Sequence, residues 1–182
     1  MRIIAGKAKG QNLIRENTKQ VRPTTDRVKE ALFNILGKAV PESTVLDLFA
    51  VFGSLGLDAL SRGAKKAVFI EKRHNNTSII KKNLKICGLN DRGTVKTMDV
   101  FKYLKNPDDS NFNLIFMDPP YQNKLGSKVL SILADSDKIN ENTLIVLECH
   151  KNENINPSEK FKQIREKIYG DTRLNIYLKQ EA

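Results

Sequence analysis

Asp118, Pro119, Pro120 and Tyr121 stand in the order needed to hold an exocyclic amino group of a nucleobase while its nitrogen becomes a nucleophile. Such an amine is unreactive because its lone pair is delocalised into the ring. A catalyst must therefore accept hydrogen bonds from its N–H groups and let the nitrogen turn pyramidal. Asp118 supplies one acceptor. The backbone carbonyl of Pro119 supplies another, because a Pro-Pro step holds residue 119 extended and brings no competing N–H. Tyr121 offers a ring face on which a base drawn out of its stack can lie.

A strand has to deliver this motif. Residues 113–117, NLIFM, form a short continuous apolar run of the kind that is buried on both faces of a parallel sheet. DPPY then falls at the strand's carboxyl end, where open α/β sheets place their ligands. The same four residues would also suit a proline-stiffened turn capped by an Asp, so a second constellation is needed.

Residues 44–56, TVLDLFAVFGSLG, provide it: an apolar strand runs into a glycine-bearing turn and then into a helix with Leu55, Leu57, Ala59 and Leu60 on its apolar positions, closed by Arg62-Gly63. A strand, a Gly turn and a helix is how α/β proteins hold nucleoside cofactors. The next strand, 67–70, ends at Glu71, roughly 20 residues after the turn, where an acid takes ribose hydroxyls. A third, 94–98, ends at Asp99. Three successive strands thus finish near a carboxylate, Asp47, Glu71 or Asp99, although any one acid could be a simple helix N-cap.

Composition limits the alternatives. A chain of 182 residues with 40% hydrophobic content can bury a core of useful size as one enzyme domain. No apolar run approaches ~20 residues and no signal-peptide core, linker or repeat is visible, so a cytoplasmic protein is expected. Cys87 and Cys149 lack metal spacing and read as small buried hydrophobes, and His74 and His150 have no companions at ligand spacing. No metal site is expected. The net charge of +10 favours a polyanionic partner, nucleic acid first. Residues 1–30 are rich in cations, among them Arg2, Lys7, Lys9, Arg22 and Arg27. RIIAGKAKGQNLI reads as a small hairpin with Ile3, Ile4, Leu13 and Ile14 in its arms. Thr24, Thr25 and Asp26 offer N-caps for an amphipathic helix through Val28, Leu32, Phe33, Ile35 and Leu36.

Further helices are expected over about 75–87, just after Asp99 and over 125–134, with a fifth strand at 143–148 and two antiparallel strands between 161 and 179 around Gly170-Asp171. Strands alternating with helices predict an α/β, mostly parallel, doubly wound sheet with a C-terminal antiparallel hairpin and a small N-terminal β-hairpin extension.

Over nearly its whole length the chain resembles the bacterial family of 16S rRNA (guanine-N2) methyltransferases, which have a Rossmann-like class I fold and use S-adenosylmethionine. The resemblance rests on RIIAGKAKG (2–10), RPTTDRVKEALFNIL (22–36), LDLFA (46–50), GLDALSRGA (56–64), IEK (70–72), DPPY (118–121) and LIVLE (144–148). The RPTTDR block is the diagnostic one, since adenine and cytosine amino-methylases also carry DPPY. The resemblance implies that Asp47 and the turn with Phe49, Ala50 and Gly53 cradle the methionine part of the cofactor, that Glu71 takes the ribose, and that Asp99 with Val100 takes the adenine. It implies that Asp118, Pro119, Pro120 and Tyr121 hold the guanine and that the segment with Arg22, Thr24 and Arg27 lies over the same pocket; these residues and the arm cations Arg2, Lys7 and Lys9 are expected to face 16S rRNA within a small-subunit particle. Residues 1–30 would be the basic RNA-facing segment and 31–182 the methyltransferase domain.

The chain departs from the family at one point. Where the family reads FAGSG, this sequence has Phe49-Ala50-Val51-Phe52-Gly53. A β-branched Val suits neither a positive φ nor a close approach to a ligand. Two outcomes are expected: a strained turn on the family's path, or a displaced one with Phe52 packed inward or folded across the pocket. Two other functions stay open: an RNA-binding or ribosome-assembly protein impaired in catalysis, and a DNA adenine amino-methylase, which would usually carry an extra recognition domain.

Overall fold

The computed structural model describes residues 1–16, 25–106, 111–120 and 124–180. Its elements, in chain order, are α1 (Asp26–Leu36), β1 (Thr44–Leu48), α2 (Ser54–Ser61), β2 (Lys66–Glu71), α3 (His74–Ile86), β3 (Gly93–Thr97), α4 (Val100–Lys105), β4 (Phe112–Met117), α5 (Leu125–Ala134), β5 (Ile139–His150), β6 (Phe161–Tyr169) and β7 (Thr172–Lys179). The strands form one seven-stranded sheet in the order β3-β2-β1-β4-β5-β7-β6. From β3 to β5 the pairings are parallel; β7 runs antiparallel to both β5 and β6. This is the doubly wound sheet with a terminal hairpin that the sequence predicts.

Each element follows from local chemistry. Every residue of β1 is buried, as a strand flanked by β2 and β4 and covered on both faces requires. Helix α1 is N-capped by Thr25, whose hydroxyl accepts from the Val28 N–H at 3.4 Å, and it stops at Gly37 in a positive-φ conformation. The sheet's two faces carry separate cores. Val45, Phe69, Leu114, Phe116, Val146, Leu174 and Ile176 pack with the N-terminal arm, α1, α2 and α3. Leu46, Leu48, Ile70, Ile115, Met117 and Leu147 pack with α4 and α5.

Two details differ from expectation. Strand β5 begins at Ile139, because Ile139 pairs with Phe112 ahead of a register shift; the polar run Asn140-Glu141-Asn142 hid this start. The N-terminal segment closes as a hairpin through one β-bridge, Arg2 to Asn12, with Gly10 N–H on the Ile3 carbonyl and Leu13 N–H on the Met1 carbonyl. Ile3 and Leu13 are buried as expected, whereas Ile14 is exposed. No helix among the described residues is long and apolar enough to cross a membrane.

A buried ion pair fastens the arm and α1 to the rest. Lys29 Nζ donates to Asp58 Oδ2 at 2.7 Å and to the Arg2 carbonyl at 2.6 Å, and Asp58 Oδ1 accepts from the Ile4 N–H at 2.9 Å. Both side chains are fully buried. The Ser61 hydroxyl adds a bond to the Ala5 carbonyl and accepts from the Ala8 N–H. Gly6, at φ +84, lies so close to the Ser61 carbonyl that a Cβ would stand 1.9 Å from its oxygen.

Candidate active site

The order of the sheet reverses between β1 and β4, and the crevice at the carboxyl ends of these strands is where a doubly wound sheet binds its ligand. Leu48 pairs with Met117 there, which sets the turn after β1 beside Asp118. Asp47 is buried, and its Oδ2 accepts the Gly56 N–H of α2 at 3.0 Å. Gly56 permits this approach: a Cβ on it would lie 2.4 Å from the Phe69 ring.

Glu71 ties the neighbouring strand to the same turn. Its Oε2 accepts from the Val51 N–H at 3.1 Å and its Oε1 from the Arg73 N–H at 2.8 Å. The turn itself is tightly wound: Phe49 at φ 60, Val51 at φ 50 and Gly53 at φ 79 all occupy the left-handed region. Val51 therefore keeps a backbone suited to glycine, and Phe52 is buried at 5% exposure with its carbonyl held by Asn83 Nδ2 at 3.1 Å. Features of both expected outcomes occur together, a left-handed Val51 and an inward Phe52. Bulky non-glycine residues at positive φ store on the order of 1 to 3 kcal/mol each.

Asp99 is the N-cap of α4, with Oδ1 accepting from the Phe101 and Lys102 N–H groups at 2.9 and 3.3 Å. Both bonds fall on the same oxygen, and Val100, the first residue of α4, is buried. Asp118 is half-buried, Pro119 buried and Pro120 exposed. Ala50 is buried and Phe49 half-buried against the core beneath α4 and α5. Arg2, Lys7, Lys9 and Arg27 are exposed, with Arg2 Nε on Asp26 Oδ2 at 2.9 Å. Tyr121, Arg22 and Thr24 lie outside the described residues.

The electrostatics of the crevice are unbalanced. Burial pushes the Asp47 carboxyl up to about 7, against the bond from Gly56, and Glu71 raises it further. Burial also raises Asp118 well above the usual carboxylate range, with Glu148 and then Asp47 adding to the effect. Glu148, buried near the end of β5, was not among the expected site residues. The signal was present, since it too is an acid at a parallel strand's carboxyl end. A crevice that crowds these carboxyls together makes their ionisation costly, and a ligand that brings positive charge would favour their charged forms. Among the described residues, no three His, Cys, Asp or Glu converge closely enough to hold a metal ion.

The N-terminal arm is positioned relative to this edge by α2. The Lys7 N–H donates to the carbonyl of Ser61, the last residue of α2, whereas Ile14 is bonded in both directions to Asn83, which also holds Phe52. Lys7 thus lies about one helix length, ~12 Å, below the edge of the sheet that carries the crevice. The chain reaches that edge by Ile14.

Comparison with known proteins adds to this geometry. The model of a family described as conserved hypothetical protein 95 matches residues 1–178. The ribosomal RNA small subunit methyltransferase D of Haemophilus influenzae is 36% identical over 179 residues, which is 97% of this chain and 93% of the relative. A solved structure described as a putative methyltransferase from Escherichia coli superposes with a TM-score of 0.90 at 31% identity, covering all of this chain and 99% of its own. An RNA methyltransferase from Salinibacter ruber, 17% identical with a TM-score of 0.70 over 88% of this chain and 95% of its own, shares the fold.

Proposed function

Since this chain belongs to the family described as conserved hypothetical protein 95, we propose that it is an rRNA methyltransferase that transfers a methyl group from S-adenosylmethionine to the exocyclic N2 of a guanine in 16S rRNA. The observation that carries this reading is the juxtaposition of Asp118 and Pro119 with a tight, acid-tethered turn at the switch point of the sheet. The near-full-length likeness to a protein named as a small-subunit rRNA methyltransferase supports the substrate class. The exposed cations of the arm and α1 supply charge for RNA.

The residues present fit the cofactor. S-adenosylmethionine supplies an activated methyl group on a sulfonium and carries a second positive charge on its amino group, so no metal is needed. Asp47 and the backbone of residues 49–53 hold its methionine part, where positive charge relieves the strain of buried carboxylates. Glu71 keeps lone pairs for the ribose while its two backbone bonds fix its orientation. Asp99 turns Oδ2 toward the adenine amino group, leaving Oδ1 to cap α4.

Asp118 and the Pro119 carbonyl accept the two N–H groups of the guanine amine. They would orient its lone pair toward the donor's methyl group, so that the N–C bond forms as the S–C bond breaks, and Asp118 as a carboxylate would stabilise the positive charge that develops on nitrogen and take up the proton that the amine then loses. The roles of Tyr121 as a platform for the base and of Arg22 and Thr24 as RNA contacts rest on the sequence resemblance alone, and the exposed Arg27 adds a cation to the same segment. The enzyme works in the cytoplasm on RNA of the small-subunit particle.

The test is Asp118→Ala. Loss of one well-placed acceptor should lower methyl transfer to unmodified small-subunit rRNA by on the order of 10² or more, with cofactor affinity and thermal unfolding close to the parent's. Turnover within a few-fold of the parent's removes Asp118 from the chemistry.

A further inference from the structure

The edge strand β6 carries a feature that the site does not use. From Lys162 to Ile168 its side chains are exposed, while its neighbour β7 contributes Leu174 and Ile176 to the core. Pairing shifts between Gln163 and Arg165, so Ile164 is a bulged residue. Without the bulge, the alternation of a strand would put Lys162 on one face and Arg165 and Lys167 on the other. With it, Lys162, Arg165 and Lys167 pair with Leu178, Ile176 and Leu174, alternate residues of β7, and so share a face.

The three cations of this row are unneutralised: none makes an ion pair or side-chain hydrogen bond among the described residues. The nearby acid, Glu166, pairs with Asn175 and belongs to the opposite face, where it accepts from Gln163 Nε2 at 3.3 Å. Neighbours on one face of a strand are ~6.8 Å apart, a step comparable with that between successive phosphates of an extended strand of nucleic acid. The row also has a direction. Tyr169 and Thr172 close the hairpin opposite His150, so Lys167 lies toward the catalytic edge and Lys162 toward the far edge. Leu174 and Ile176 share a core with α1 and the N-terminal arm, which places the row on the same side of the sheet as Arg2, Lys7, Lys9 and Arg27.

We propose that Lys162, Arg165 and Lys167 form a second phosphate-binding track that holds the RNA backbone flanking the target nucleotide. The proposal rests on the reading of this protein as an RNA methyltransferase and extends its RNA contacts to the far end of the sheet. A charged, bulged edge strand also guards a sheet against pairing with another sheet, and the experiment separates that role from RNA binding.

The triple variant Lys162→Gln, Arg165→Gln, Lys167→Gln is compared with the parent and with the charge-keeping Lys162→Arg, Arg165→Lys, Lys167→Arg, using unmodified 16S rRNA fragments over a salt series. The neutral variant should bind RNA ~10-fold or more weakly, and the slope of log affinity against log salt should fall by ~2, since each lost contact removes about 0.7. Affinity for S-adenosylmethionine and turnover at saturating RNA should not change, and the charge-keeping variant should bind as the parent does. An unchanged affinity and slope in a folded neutral variant overturns the track, and if that variant also self-associates, the row is an edge guard. A parent that neither binds rRNA nor methylates it overturns the functional reading together with the track, whereas an active parent with an unaffected variant overturns the track alone.

Discussion

Burial of Asp47 makes the unliganded protein sensitive to pH. Its carboxyl, about 7 in the folded chain against 3.8 when unperturbed, stays protonated while the unfolded chain ionises. Between roughly pH 4 and 7 the folded state therefore binds more protons, and the contribution of this group to stability falls as pH rises. Asp47→Asn removes the effect and keeps an acceptor for the Gly56 N–H. The variant should unfold a few degrees higher than the parent at pH 8 without cofactor, at ~2 to 4 °C per kcal/mol for a chain of this size, and at the same temperature near pH 4. It should also bind S-adenosylmethionine more weakly. Scanning calorimetry at the two pH values checks the sign. The positions of Asp47, Glu71, Asp99 and Asp118 were legible in the sequence because each acid stands at or just past the end of an apolar run. What was not legible is how each is already engaged: Asp99 caps a helix and Glu71 spans two backbone amides, contacts that depend on neighbouring chain segments. Glu148 shares that strand-end signal, but its influence on Asp118 follows from the pairing of β4 with β5, which the sequence does not display.

The turn after β1 and the clamp beneath it show what elements contribute. Val51 sits at φ 50, where glycine has no steric cost, so Val51→Gly should raise stability by about 1 kcal/mol and leave Phe52 buried. Chemical denaturation measures this; a loss of stability would mean that the Val51 side chain contributes more by packing than its backbone costs. The sequence identified this turn as unusual but could not predict that Asn83, on α3, would hold it. The clamp was hidden for a similar reason. Lys29 looks like one more cation of a basic segment, and only the docking of α1 against α2 brings it to Asp58. Lys29→Met leaves Asp58 charged and buried without its partner. It should cost ~3 to 5 kcal/mol in urea unfolding, and the double variant Lys29→Met, Asp58→Asn should recover part of that loss. If the arm is an independent appendage, Lys29→Met will cost well under 1 kcal/mol. Elements set by periodic apolar residues were readable in advance, and β5 was read short where polar residues continue its pairing.

Across the whole molecule, the cations of the arm, α1 and β6 share one side of the sheet, and buried carboxyls meet at one edge. The arm, α1 and the exposed part of β6 lie on the same side, and the carboxyl ends of β1, β4 and β5 hold Asp47, Asp118 and Glu148. A net charge of +10 favours a polyanion at the surface, while in the proposed reaction the carboxyls of the crevice receive a cationic cofactor and the N–H groups of an amine. The fold class was readable because parallel strands alternate with helices at regular spacing, but the charge layout was not, since it depends on a bulge that re-aims one strand. The proposed chemistry is methyl transfer to the N2 of guanine. The most direct measurement incubates the protein with methyl-labelled S-adenosylmethionine and small-subunit rRNA lacking the modification, then digests the RNA to nucleosides and separates them. Label is expected in N2-methylguanosine, with much less from Asp118→Ala; label in a methylated adenine or cytosine, or no transfer to RNA by protein that binds the cofactor, would rule out this chemistry.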